Sequence, residues 1–232
     1  MPAPSPQVVV LAGGLGARLG EAGRRRPKVL QPVAGRPFLD LMLEPLVRRD
    51  LRRFVFCLGH LAEQVVEHLT GRWPALEAAV HIDEVQRGTA GSLLAARDLL
   101  DDVFLVVLGD TYLDIDHRAM LARLTPGVMG VMAVSDVTTD VPFNVDVEGD
   151  RVVTYAKDSP DRHGWVDTGA LALRGEALDL VAAEPGPVDL AEVFRALIRR
   201  GAMAAHPLHC DFYDIGTPER LRRFARFAAG EP

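Results

Sequence analysis

An apolar run, Gln7–Leu11 (QVVVL), leads straight into a cluster of glycines. Unbroken runs of this kind form strands buried on both faces, and such strands need a parallel sheet with helices on either side. The chain keeps to that plan for its first 125 residues. Phe54–Leu58, Ala79–Ile82 and Val103–Leu108 read as further strands, and Phe38–Arg49, Leu61–Leu69 and Gly91–Leu100 as helices between them. Strands alternating with helices of this length imply right-handed crossovers and an α/β, Rossmann-like core. Beyond residue 125 the rhythm changes. Val128–Val134, Phe143–Val147, Val152–Ala156 and Val166–Leu173 are strand-like runs separated by turns, which predicts a mixed extension of the same sheet. Helices are expected at Glu176–Ala183, Leu190–Arg200 and Pro218–Ala228. With no repeat and no linker tract, the 232 residues read as one domain with two halves, 1–125 and 126–232.

Composition narrows the function classes. A chain that is 48% hydrophobic and 25% charged can build such a core. Its formal net charge of −6 argues against nucleic acid as a partner, since phosphodiester binders carry excess base. No apolar run reaches the roughly 18 residues that span a bilayer, and Met1–Gln7 lacks the positive charge of a signal peptide. Two cysteines, Cys57 and Cys210, read as reduced thiols. The expectation is a cytoplasmic protein without a membrane partner. The basic residues are 24 Arg and only two Lys, Lys28 and Lys157. Lysines kept in such a chain point to positions where a compact ammonium does what a planar guanidinium cannot.

The glycines after the first strand are Gly13, Gly14 and Gly16, within Leu11-Ala12-Gly13-Gly14-Leu15-Gly16-Ala17-Arg18-Leu19. Glycines so placed let backbone amides approach an anion closely. Two familiar phosphate loops are excluded. The dinucleotide fingerprint needs a glycine where Leu19 stands, and the ATP-binding P-loop needs Gly before its lysine, where this chain has Pro27. Arg18 follows the glycines, and Pro27-Lys28 lies ten residues further on. Later blocks are Gly88-Thr89-Ala90-Gly91, Leu108-Gly109-Asp110 and Tyr213-Asp214-Ile215-Gly216-Thr217-Pro218-Glu219. His206-x-x-His209-Cys210 has no second ligand group beside it, and no Ser-His-Asp or Cys-His arrangement has local support.

These four blocks, in this order and spacing, resemble the signature of the sugar-1-phosphate nucleotidyltransferases. The resemblance implies an enzyme that joins a nucleoside triphosphate to a sugar 1-phosphate, releasing pyrophosphate. It implies that Leu11, Ala12, Gly13, Gly14 and Gly16 cradle the triphosphate, with Gly88 and Thr89 also at the nucleotide. Arg18 would hold the departing pyrophosphate, and Lys28 would reduce repulsion between the reacting phosphates. Asp110 and Asp214 would bind Mg²⁺, which suits two carboxylates plus phosphate oxygens. Arg18, Lys28 and Asp110 are thus the catalytic set. The residue five positions before Gly88 is Asp83, where the family's guanylyltransferases commonly carry an acid. A carboxylate can accept from guanine N1–H and its exocyclic amine together, which favours GTP.

On the sugar side the resemblance points to Asn144, Lys157, Asp167 and Thr168. The chain departs from the common pattern here. Ala156 stands where a glutamate usually precedes the lysine, Asn144 replaces a glycine, and Asp167-Thr168-Gly169 replaces Asn-x-Gly. With Gly35-Arg36-Pro37-Phe38-Leu39 and the compact length, the chain resembles more the heptose-1-phosphate guanylyltransferases and their mannose-1-phosphate relatives. The alternatives are a UTP-, ATP- or CTP-dependent enzyme with another phosphorylated acceptor, or a non-catalytic nucleotide-sugar-binding regulator. Homo-oligomer formation stays open.

Overall fold

The computed structural model describes residues 5–138, 141–156, 163–183 and 186–231. The first half runs β1 (Gln7–Ala12), α1 (Glu21–Arg25), the short pair β2 (Pro32–Val33) and β3 (Arg36–Pro37), α2 (Phe38–Arg48), β4 (Arg53–Leu58) and α3 (Ala62–Arg72). It continues with β5 (Glu77–Ile82), α4 (Gly88–Ala95), β6 (Val103–Leu108), β7 (Thr111–Tyr112) and α5 (His117–Leu121). The second half comprises β8 (Gly130–Ser135), β9 (Val145–Glu148), β10 (Arg151–Tyr155), β11 (Val166–Arg174), α6 (Leu190–Arg199), β12 (Met203–Leu208), β13 (Tyr213–Asp214) and α7 (Pro218–Ala228).

One nine-stranded sheet runs through both halves, in the order β5-β4-β1-β6-β11-β8-β12-β10-β9. β5, β4, β1 and β6 are parallel neighbours. β11 lies antiparallel to both β6 and β8, and β12 returns parallel to β8. β10 and β9 complete the far edge as an antiparallel pair. The α/β sheet with a mixed extension is therefore as expected.

The two-residue alternation of the strands divides the core into two layers. Val8, Val10, Phe54 and Phe56 face α2, α3 and α7, meeting Leu39, Leu43, Val65 and Phe224. Val9, Val55 and Cys57 face the other way, toward Leu93 of α4 and Phe194 and Leu197 of α6. Each fully buried Leu or Phe in these layers contributes about 1.5–3 kcal/mol. Cys57 and Cys210 are both free thiols. Burial pushes the Cys57 thiol up to about 11, so it stays protonated at neutral pH.

Apart from short elements of five residues or fewer, three differ from the sequence reading. The helix expected at Gly91–Leu100 begins earlier, at Gly88, and gives way to a 3₁₀ turn over Arg97–Leu99. Glu176–Ala183 holds no α-helix; a 3₁₀ segment occupies Gly175–Leu180. β12 was not expected at all. Its sequence, Met-Ala-Ala-His-Pro-Leu, lacks β-branched residues and contains a proline, yet it enters the sheet between β8 and β10. Pairing inside a buried sheet overrides weak local propensity.

Candidate active site

The carboxyl ends of β1, β4, β5 and β6 open into a cleft of about 1110 Å³. Ligands of open α/β sheets bind at that edge. Leu11, Ala12, Gly13, Gly14, Gly16, Arg18, Lys28, Asp83, Gly88, Thr89, Asp110 and Asp214 all line it.

The glycine loop is shaped by close packing. Gly16 turns with φ +61°, and a Cβ on Gly23 would lie 2.3 Å from the Gly16 carbonyl oxygen. Two glycines are therefore required where α1 meets the loop. Gln31 is buried, and its amide donates to the Ala22 and Arg26 carbonyls at 3.1 and 3.0 Å. This folds the segment between the glycines and Pro27 back on itself, with Arg18 exposed on a 3₁₀ turn. Lys28 opens the next 3₁₀ turn, and its Nζ donates to Asp110 Oδ2 at 2.5 Å. The Lys28 side chain is 13% exposed and that of Asp110 26%, so the pair lines a partly dehydrated floor.

Asp110 and Asp214 are brought together by a small ladder. Thr111 of β7 pairs with Asp214 of β13, and Ile215 N–H donates to the Asp110 carbonyl at 2.9 Å. Asp214 Oδ1 accepts from Gly216 N–H at 2.6 Å and from Arg220 Nη1 at 3.1 Å. Among the described residues no group of three or more His, Cys, Asp or Glu is placed to hold a metal ion. A pair of carboxylate oxygens on a cleft floor instead fits a hard divalent ion that completes its shell with phosphate and water, as Mg²⁺ does.

Asp83 is not an isolated carboxylate. Its side chain is 9% exposed, and its Oδ1 accepts from His81 Nε2 at 3.1 Å and pairs with Arg87 Nε at 3.2 Å. A nearly buried carboxylate requires such partners.

The turn into α4 is locked by a distant segment. Val188 N–H donates to the Arg87 carbonyl, and the Val188 carbonyl accepts from Ala90 and Gly91 N–H at 2.9 and 3.0 Å. Thr89 Oγ1 accepts from Leu190 N–H at 2.7 Å. The amides of Ala90 and Gly91 at this helix start are thus capped by protein. Gly88 sits at φ +73°, and a Cβ there would lie 2.4 Å from the Val188 carbonyl oxygen. Gly88→Ala is therefore expected to destabilise the fold by upwards of about 2 kcal/mol through backbone strain and overpacking. Urea denaturation of the two proteins measures it, and an unchanged midpoint would refute it.

Asn144, Asp167 and Thr168, expected on the sugar side, do not line this cleft. Asn144 Oδ1 accepts from Asp167 N–H at 2.9 Å, and Asp167 Oδ1 accepts from Gly169 N–H at 2.9 Å. The two form a linked polar group at the start of β11. Thr168 corrects the expectation. Its side chain is buried, with the residue 1% exposed, and its hydroxyl donates to the Ala133 carbonyl at 2.9 Å, so the hydroxyl is turned into the core. Lys157 lies outside the described residues.

Residues 7–230 match the nucleotidyl transferase family. The chain belongs to that family. The resemblance to sugar-1-phosphate nucleotidyltransferases, and with it the expectation of an enzyme, holds. The D-glycero-alpha-D-manno-heptose 1-phosphate guanylyltransferase of Campylobacter jejuni is 24% identical over 221 residues, 94% of this chain and 98% of its own length. The CMP-5'-(3-aminopropyl)phosphonate synthase of Streptomyces rubellomurinus is 36% identical over 171 residues. That alignment covers 71% of this chain but only 27% of the longer relative. The crystal structure of HddC from Yersinia pseudotuberculosis complexed with GMP-PN superposes with a TM-score of 0.82 at 22% identity, over 96% of this chain and 99% of that one. The fold is thus that of a nucleotidyltransferase.

Two cleft residues carry no signal in the local sequence. Asp189 reaches the wall because the Val188 segment docks on α4, about a hundred positions away; its Oδ1 accepts from Thr89 at 3.4 Å. Arg87 precedes the Gly-Thr block and reads as an ordinary surface arginine until its pairing with Asp83 is seen.

Proposed function

We propose that the enzyme transfers a nucleoside monophosphate from a nucleoside triphosphate, with GTP favoured, to a sugar 1-phosphate of the heptose or mannose type. The products are an NDP-sugar and pyrophosphate. The observation that carries this reading is the convergence of the glycine loop, Arg18, the Lys28–Asp110 pair and Asp214 on one cleft. Loop amides face the triphosphate, and Arg18 can take two oxygens of the departing pyrophosphate. Lys28 holds positive charge where two anions must meet, with Asp110 fixing its position. The acceptor's phosphate oxygen is ionised at neutral pH and attacks the α-phosphorus in line, so no general base is needed. Rate enhancement then rests on positioning and charge. A Mg²⁺ ion held by Asp110 and Asp214 would supply further positive charge to the reacting phosphates.

In this reading residues 1–125 serve the nucleotide and 126–232 the sugar, except that Asp189 and Asp214 reach into the nucleotide cleft. Asn144, Asp167 and Lys157 are assigned to the sugar. The reaction belongs in the cytoplasm, where triphosphates are made; no helix among the described residues is long and apolar enough to cross a membrane. The test is pyrophosphate release with a panel of triphosphates against a panel of sugar 1-phosphates. Turnover with GTP and a heptose or mannose 1-phosphate supports the reading, and silence across the panel overturns it.

A second reading keeps the chemistry and changes both substrates: CTP with a phosphonate-type acceptor, favoured by the 36% identity to the phosphonate synthase. Asp83→Gln bears on the base. If Asp83 accepts from guanine, the substitution narrows the lead of GTP over UTP in kcat/KM by about tenfold or more, the worth of one well-made base contact. An unchanged ranking would remove Asp83 from base recognition.

A further inference from the structure

We propose that Arg87 is a specificity residue, and that the Asp83–Arg87 ion pair together reads the nucleotide base and selects guanine or cytosine against uracil and thymine. This rests on the reading that the cleft takes a nucleoside triphosphate.

The β5 end of the cleft is suited to a flat heterocycle. Leu15, Ile82 and Val85 are large apolar side chains left exposed, and all three line the cleft. Apolar side chains rimming a cleft in this way offer faces to the plane of a base. Asp83, directly after Ile82, and Arg87 line the same cleft. The Asp83 backbone N–H donates to the Leu58 carbonyl at 2.9 Å, and the Arg87 carbonyl accepts from Val188 N–H at 2.7 Å. Both ends of the ion pair therefore stand on pinned backbone. His81 holds the same Asp83 oxygen from the strand side, which gives the carboxylate a second anchor. Arg87 turns its Nε to Asp83, and its side chain, still 48% exposed, lines the cleft.

Such a pair offers acceptors on one side and donors on the other. Guanine presents O6 as an acceptor beside two donors, N1–H and the exocyclic amine. Cytosine presents its exocyclic amine as a donor beside two acceptors, N3 and O2. In both, donors and acceptors form separate blocks that a carboxylate and a guanidinium can face together. Uracil and thymine place one donor between two acceptors, so one acceptor stays unmatched and the carboxylate finds a single partner. Adenine matches in sense but has one group fewer. The expected order is guanine or cytosine first, then adenine, with uracil and thymine last.

The test is calorimetric binding of GTP, CTP, ATP and UTP to the wild type, Arg87→Ala and Arg87→Lys, with melting temperatures as a check on folding. Arg87 is varied because Asp83 is nearly buried. The wild type should bind GTP or CTP at least about tenfold more tightly than UTP, the scale of one bidentate base contact. Arg87→Ala should lose most of that margin while UTP affinity changes less than about threefold, and Arg87→Lys should recover part of it, since a point charge replaces a two-pronged donor. Whether GTP or CTP leads decides between the two bases. Preference for UTP, or equal weakening of all four by Arg87→Ala, overturns this inference while leaving the nucleotidyl transfer reading intact. Binding of no triphosphate overturns both.

Discussion

Asp110→Asn and Asp214→Asn are each expected to lower kcat by about 10²–10³-fold, the usual cost of removing one preorganised electrostatic contact to the reacting phosphates. The two carboxylates come from segments that are far apart in sequence yet adjacent at the β7–β13 ladder. Each substitution deletes one negative charge from a site that must attract a divalent ion while leaving the side chain's shape almost unchanged. The fold should survive. The amide oxygen introduced at position 214 would still accept from Gly216 N–H, and the Ile215 N–H bond to residue 110 is made by backbone. Asp110→Asn takes an anionic partner from Lys28 and Asp214→Asn takes one from Arg220, both partly buried, so each variant should melt somewhat lower than the wild type. Turnover at low millimolar Mg²⁺, a Mg²⁺ titration and a melting curve separate these effects. A weakened Mg²⁺ dependence of triphosphate binding should accompany the lost turnover. Near wild-type kcat in either variant would show that the two aspartates are not a metal pair.

The parallel core was legible because its strands are written in β-branched residues: Val8–Leu11 and Val103–Leu108 have no alternative that buries so many of them. The glycine loop, Lys28 and the two aspartates were legible through the resemblance of their blocks to the family's signature, and the structure brings them to one cleft. What was hidden depended on tertiary docking. β12 has a composition that predicts nothing and is a strand only because β8 and β10 leave it a place. Asp189 enters the cleft through hydrogen bonds between Val188 and the start of α4, which no window of sequence contains. Thr168 was open to a better reading. It shares the parity of Val166 and Ala170, both core residues of β11, and the two-residue period already turns it inward.

Lys28→Arg is expected to be nearly as damaging to turnover as Lys28→Ala, each by about 10²-fold or more, on the scale of one lost electrostatic contact. Arginine is the ordinary cation of this chain, 24 against two lysines, so position 28 departs from the local habit. The structure supplies a reason. Lys28 follows Pro27 on a 3₁₀ turn whose neighbours Val29 and Leu30 are buried, and its ammonium reaches Asp110 Oδ2 directly. A guanidinium is wider, planar and longer, and prefers to grip a carboxylate with two nitrogens. In that floor it would either pull Asp110 out of place or project into the space the phosphates need. A retained charge therefore does not rescue a lost shape. The comparison to make is kcat and KM for the triphosphate in both variants, beside melting temperatures. The arginine variant should keep much of the affinity, because charge at long range is preserved, and lose kcat, because the reacting phosphates are no longer positioned. Full kcat in Lys28→Arg would show that position 28 needs only a positive charge, and that the scarcity of lysine in this chain has no bearing on the site.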